Sequence, residues 1–117
     1  MTDTEIGRIL KEKSVTIFGA GGLGSNVAIA LSRMGVGTLY IVDYDKVEKS
    51  NLNRQYYFLK HIGMKKVEAL RQVILDIDPD IMVNSYDTRI TEENVLALSE
   101  GSDIIVEALD EAEIKAM

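Results

Sequence analysis

Gly19-Ala20-Gly21-Gly22-Leu23-Gly24 is the stretch whose surroundings decide the architecture. It follows Ser-Val-Thr-Ile-Phe at 14–18, a short β-rich run that stops at Gly19 and reads as a buried strand. It leads into 22–34, where Leu23, Val27, Ala30, Leu31 and Met34 recur at helical spacing and Gly35 closes the segment. A G-x-G-x-x-G pattern between strand and helix suits phosphate. Gly19 permits the tight turn, Gly21 lets backbone amides approach an anion, and Gly24 lets helix and strand pack closely. The helix would aim its unpaired N-terminal amides and positive dipole end at that anion. The competing reading is a glycine-rich structural turn.

Working outward, residues 38–42 (Thr-Leu-Tyr-Ile-Val) form a second buried strand ending at Asp43. Asp43 lies about 20 residues beyond the glycines, where a carboxylate can accept from ribose hydroxyls, or else cap a helix or loop. Residues 45–55 are polar and rich in Asn, hence a loop. Residues 65–77 carry Val67, Leu70, Val73, Ile74 and Ile77, an amphipathic helix that Pro79 terminates. A third strand follows at 81–86. Thr91-Glu92-Glu93-Asn94 resembles a capping box opening a helix through Leu98, with Gly101 ending it, and 103–106 is a fourth strand. At the start, 5–13 reads as a short amphipathic helix or arm with Ile6, Ile9 and Leu10 on one face.

This alternation predicts a Rossmann-like α/β fold: a parallel sheet with helices on both faces, in a single nucleotide-binding domain over 1–117. Ligands of such folds sit beyond the carboxyl ends of the strands. The sequence ends seven residues after Asp110, inside what should be the next helix. The expectation is a fold truncated after its fourth strand, inactive or nearly so by itself.

Composition narrows the partners. With 46% apolar and 27% charged residues the chain reads as a soluble globular domain, and its apolar runs fall far short of the ~20 residues of a membrane span. No secretory signal pattern opens it, so a cytoplasmic location is expected. There is no cysteine for disulfides, thiolate metal sites or nucleophilic chemistry. A net charge of −6 disfavours nonspecific nucleic-acid binding, which calls for a basic stripe. A polyanionic ligand must therefore be held by a few placed cations and amides.

The loop after the second strand bears on which nucleotide that is. Asp43-Tyr44-Asp45-Lys46-Val47-Glu48-Lys49-Ser50-Asn51-Leu52-Asn53-Arg54-Gln55 is long enough to return Asn51, Arg54 and Gln55 over the ligand crevice. Gly63-Met64-Lys65-Lys66 then opens the following helix with a lysine near the same rim. ATP with departing pyrophosphate needs more neutralisation than NAD, which suits an Arg and a Lys from different segments. On composition alone, Arg54 and Lys66 would be solvated surface charges.

Gly-Ala-Gly-Gly-Leu-Gly-Ser, Asp-Tyr-Asp, Ser-Asn-Leu-Asn-Arg-Gln and Gly-Met-Lys-Lys-Val-Glu together resemble the ThiF/MoeB/HesA adenylyltransferases, relatives of the ubiquitin-activating enzymes. The similarity runs from about Ser14 onward and looks nearest to the shorter bacterial thiamine-biosynthesis type. The resemblance implies an ATP-dependent adenylyltransferase that activates the C-terminal glycine carboxylate of a ubiquitin-like, ThiS-like sulfur carrier, working as a homodimer. Gly21 and Gly22, within the loop bounded by Gly19 and Gly24, would line the α-phosphate. Asp43 would hold the ribose, and Asn51, Arg54 and Gln55 the triphosphate. Lys66 would be the second phosphate cation, with Lys65 its adjacent competitor. Asp110 would help hold Mg²⁺, although a helix N-cap is the reading its position alone suggests. An NAD(P)-binding oxidoreductase fragment or a non-catalytic dimerising scaffold are the alternatives. Arg8 receives no role. His61, the sole histidine, is expected in a loop or at the surface. Tyr56, Tyr57 and Phe58 are expected to pack beneath the loop, or to neighbour adenine. Asp76, Asp78 and Asp80 are expected to be solvated.

Overall fold

The computed structural model describes residues 3–109; the expected Mg²⁺ residue Asp110 lies outside the described residues. Strands β1 (Ser14–Phe18), β2 (Thr38–Asp43), β3 (Met82–Asp87) and β4 (Ile104–Glu107) form one parallel sheet in the order β3-β2-β1-β4. Helices α1 (Asp3–Lys11), α2 (Gly22–Met34), α3 (Lys66–Ile77) and α4 (Val95–Ser99) complete the regular structure. No helix among the described residues is long and apolar enough to cross a membrane.

Side-chain alternation along the strands divides the core between two faces. Val15, Ile17, Leu39 and Ile41 meet Ala28 and Ile29 of α2 and Val67, Leu70 and Ile74 of α3. Full burial of each large aliphatic side chain contributes roughly 1.5–3 kcal/mol, so this face supplies most of the apolar stabilisation. Phe18 and Val42 point the other way, against Val95 and Leu98 of α4 and Ile90. Helices therefore cover both faces, the second one thinly.

The sequence signals at element ends have physical counterparts. Gly35 caps α2 in the left-handed conformation, and the N–H groups of Gly35 and Val36 close onto the last turn. Thr91 and Asn94 exchange hydrogen bonds: Asn94 N–H donates to Thr91 Oγ1 and Thr91 N–H to Asn94 Oδ1, at 3.2 and 2.8 Å. That reciprocal box precedes a helix shorter than its sequence suggests, because regular α4 begins only at Val95. α3 begins at Lys66 rather than Lys65, whose backbone is extended. The apolar face expected for α1 is not sealed: Ile6 and Ile9 remain exposed.

The excursion between β2 and α3 is ordered by its own backbone pairing. Val47 N–H donates to Met64 C=O, Gly63 N–H to Val47 C=O and Lys66 N–H to Asp45 C=O, all at 2.8–2.9 Å. His61, expected in a loop or at the surface, sits in a short 3-10 turn (Leu59–His61) and is fully buried. Its Nδ1 accepts the Phe58 N–H at 2.8 Å, while Tyr57 and Phe58 flank its ring. Of the three neighbouring aromatics only Tyr57 is buried; Tyr56 and Phe58 are exposed, contrary to expectation. An irregular loop has no fixed period, so sequence alone could not separate them.

Two predictions follow from this packing. A Cβ on Gly24 would overlap the Gly19 carbonyl oxygen. Alanine is favoured over glycine inside a helix by about 1 kcal/mol, whereas overpacking costs about 1–3 kcal/mol and sometimes more. Because the obstacle is a backbone oxygen, the upper end of that cost applies, so Gly24→Ala should lower stability by about 2 kcal/mol in urea denaturation, and a neutral or stabilised variant would contradict the close approach. Burial, then the Lys60 charge, lowers the His61 pKa from 6.5, with Asp76 opposing. The folded form consequently binds its proton later than the unfolded chain. His61's contribution is complete above the unfolded value and declines as pH falls from about 6.5 toward the lowered folded value. Melting temperature should drop between about pH 7.5 and pH 5.5, and His61→Asn, which keeps the acceptor for Phe58, should flatten that drop. Equal slopes in variant and parent would contradict the assignment.

Candidate nucleotide-binding site

Beyond the carboxyl ends of β1 and β4 lies a cleft of about 460 Å³. Gly21, Gly22 and Leu23 form one wall, and Ala108 and Leu109, just past β4, form another. Asn51, Arg54, Gln55 and Lys66 also face it, together with Asp45, Lys46 and Glu48. The excursion thus brings the expected phosphate ligands to the glycine loop, although they stand some 30–45 residues from it along the chain.

Direct stitching explains how. Asn26, in the first turn of α2, donates to the Gly22 carbonyl at 2.5 Å and to the Arg54 carbonyl at 3.2 Å. Ser25 Oγ accepts the Tyr56 N–H at 3.2 Å. Gln55 is thereby laid over Gly21: a Cβ there would stand 3.7 Å from Gln55 Nε2. The Gln55 Oε1 is buried without a protein hydrogen-bond partner. A buried amide oxygen left unsatisfied costs about 1–3 kcal/mol, so a donor supplied by a ligand or water is favoured there. Asn51 Oδ1 accepts the Glu48 N–H at 2.8 Å, which gives this cleft residue a structural task as well.

Gly19 and Gly24 do not line the cleft. Gly19 turns the chain at φ +104°, where a Cβ would come within 2.6 Å of the Ala108 carbonyl oxygen. Gly24 supplies the close approach already described. α2 begins with Gly22 after an N-cap glycine, has no acidic residue in its first turn and has no side chain capping its amides. The positive end of that helix faces the cleft with no carboxylate from its own first turn.

The adjacent lysines have different environments. Lys66 is 7% exposed and faces the cleft. Lys65, with a side chain 53% exposed, pairs with Asp87 at 2.9 Å, and that hydrogen bond raises its pKa. Their 100° separation around a helix is reinforced here because Lys65 precedes the first turn of α3.

Asp43 is 3% exposed and lies beside the cleft, lining a much smaller cavity with Tyr44, Arg89, Ile90 and Leu109. Its Oδ2 accepts the Ala20 N–H and its Oδ1 the Asp45 N–H, both at 2.7 Å. A carboxylate has about four acceptor positions, so two stay available for hydroxyls after those bonds. Among the described residues no three acidic, histidine or cysteine side chains cluster to hold a metal ion. Asp110 lies outside the described residues.

Sequence reasoning missed Lys46, a third cation at the rim, and the small cavity where Arg89 lies 5.4 Å from the Tyr44 ring centroid. Lys46 had no motif to mark it. Its place depends on the antiparallel bridge with Lys65.

Comparison with known proteins identifies the family. Residues 4–117 match the ThiF family. The chain is 44% identical over 102 residues to adenylyltransferase and sulfurtransferase MOCS3 of Dictyostelium discoideum, covering 86% of this chain and 24% of that protein. It is 43% identical over 82 residues to ubiquitin-like modifier-activating enzyme 5 of Caenorhabditis elegans, covering 70% of this chain and 20% of that one. The structure of Escherichia coli tRNA N6-threonylcarbamoyladenosine dehydratase, TcdA, in complex with ATP superposes with a TM-score of 0.87 at 30% identity, covering 92% of this chain and 45% of that one. The chain thus spans about a fifth to a quarter of the length of these curated relatives. With nearly its whole length matched and its glycine loop, excursion and parallel sheet in one arrangement, the chain belongs to the ThiF family.

Proposed function

We propose that the cleft binds ATP for an adenylyltransferase reaction on a protein's C-terminal carboxylate. The observation that carries this reading is the convergence of Arg54 and Lys66, from separate segments, on the wall formed by Gly21 and Gly22. The MOCS3 relative is named an adenylyltransferase, and the TcdA structure was solved with ATP. Both lend support.

A carboxylate oxygen attacks the α-phosphorus, a new acyl–phosphate bond forms, and the bond to the bridging oxygen breaks to release pyrophosphate. The carboxylate is already ionised at neutral pH, so the protein's task is orientation and charge neutralisation. Backbone amides at Gly21 and Gly22 receive the α-phosphate, and Asp43 accepts from the ribose. Arg54, Lys66, Asn51 and Gln55 hold the triphosphate. Asp110 would help hold Mg²⁺, which would supply further neutralisation of the phosphates.

The finer reading is a ubiquitin-like, ThiS-like sulfur carrier as the acyl donor, in thiamine biosynthesis, with a homodimeric enzyme. The sequence resemblance supports it. The names of the relatives support the wider class of ubiquitin-like modifiers and sulfur carriers.

ATP–pyrophosphate exchange by the full-length protein, with and without a carrier ending in Gly-Gly, tests the reaction. Arg54→Ala and Lys66→Ala should each depress exchange about 10²–10³-fold, the usual effect of losing one placed electrostatic donor. Lys65→Ala, which loses only the pair with Asp87, should retain near-parental exchange. Near-parental rates in all three would refute the mechanism, and a loss confined to Lys65→Ala would move the role to that lysine.

A further inference from the structure

Ala20 lies between two glycines, fully buried, and both of its backbone polar groups are held by side chains distant in sequence. Its N–H donates to Asp43 Oδ2 at 2.7 Å. Its carbonyl accepts the Tyr57 hydroxyl at 2.6 Å. That hydroxyl also lies 3.4 Å from the Lys66 carbonyl. One phenol therefore joins the glycine loop, the excursion bearing Arg54 and Gln55, and the start of the helix bearing Lys66.

The peptide group is planar and trans, so the Ala20 carbonyl and the Gly21 N–H point in opposite directions in one plane. Fixing the carbonyl fixes the direction of that N–H. The consequence is large here because glycine has more backbone freedom to lose than any other residue. Without a partner on the carbonyl, the plane between Ala20 and Gly21 could rotate, and the Gly21 amide would turn with it.

We propose that Tyr57 is a positioning residue that sets the glycine loop in its phosphate-receiving form by holding the Ala20 carbonyl. This rests on the reading of the cleft as a nucleotide site. Tyr57 is 3% exposed, and burial, followed by the charge of Asp43, pushes its phenol pKa far up, so the hydroxyl stays a donor throughout the working range. Neither neighbour can substitute, because Tyr56 and Phe58 are exposed. Tyr57 does not itself line the cleft; it reaches the site only through the backbone of Ala20, Gln55 and Lys66.

The test is Tyr57→Phe in the full-length protein, which keeps the ring and removes the donor. Backbone amide exchange is first measured without nucleotide. Exchange of the hydrogen-bonded amides of Gly19, Ala20 and Ser25 should accelerate about tenfold, as for the loss of one buried hydrogen bond, while β2 and the middle of α3 keep parental rates. The KM for ATP in pyrophosphate exchange should rise about tenfold with kcat within about twofold. A purely structural loss would instead reduce the active fraction, lowering apparent kcat at constant KM. If Tyr57→Phe does not fold, Tyr57→4-aminophenylalanine, a weaker donor, should give intermediate values of both quantities. Parental exchange at Gly19, Ala20 and Ser25, or an unchanged KM, in the folded variant overturns the proposal. If the parent itself binds no ATP, the adenylation reading fails, and the nucleotide-free exchange rates still decide whether Tyr57 holds the loop.

Discussion

The hydrogen bonds on Ala20 join the end of β1 to the rest of the ligand-facing edge. Asp43, at the end of β2, takes the N–H, and Tyr57, from the excursion, holds the carbonyl. Asp43 also takes the Asp45 N–H, so the turn out of β1 and the turn out of β2 share one carboxylate. From that junction the chain enters α2, whose glycine backs directly onto the Gly19 carbonyl. The direction of α2, and with it the aim of its N-terminal amides, follows from these contacts rather than from any side-chain cap.

The electrostatic arrangement is local and runs against the chain as a whole. A net charge of −6 repels a polyanion at long range, yet Lys46, Arg54 and Lys66 meet at the cleft. Asp45 and Glu48 share that rim, so the cations do not form an unopposed patch. Charges on an exposed surface are screened beyond roughly 10 Å in ordinary salt. Within the cleft, where Lys66 is largely withdrawn from solvent, attraction to phosphate is less screened. This arrangement favours a ligand of high charge density that reaches all three cations. The excursion is what makes it possible, and its backbone pairing at 45–47 with 63–66 keeps Lys66 in place.

Much of the fold was legible because strong local signals agreed with one another. The glycine loop lay between a β-rich run and a 3.6-period segment, and the strand–helix alternation left a parallel sheet as the consistent arrangement. Gly35 and the Thr91–Asn94 box marked element ends through their own chemistry. The return of Asn51, Arg54 and Gln55 to the cleft was also readable from loop length. What was not legible depended on contacts between distant residues. Nothing local distinguishes Tyr57 from Tyr56 or Phe58, or announces that His61 would be buried against them. For Asp43 the sequence offered a ribose contact or a loop cap; the cap on the Asp45 N–H is local, whereas the bond to the Ala20 N–H became visible only once β1 and β2 were paired. Lys46 entered the site through a backbone bridge that no motif encodes.

On the proposed reading, the glycine loop and its excursion suit ATP and not a dinucleotide. Calorimetric titration of the full-length protein with ATP and, separately, NAD⁺ separates the two. Saturable heat is expected with ATP and none with NAD⁺ at the same concentrations. Saturable NAD⁺ binding, or no binding of either nucleotide, would contradict it.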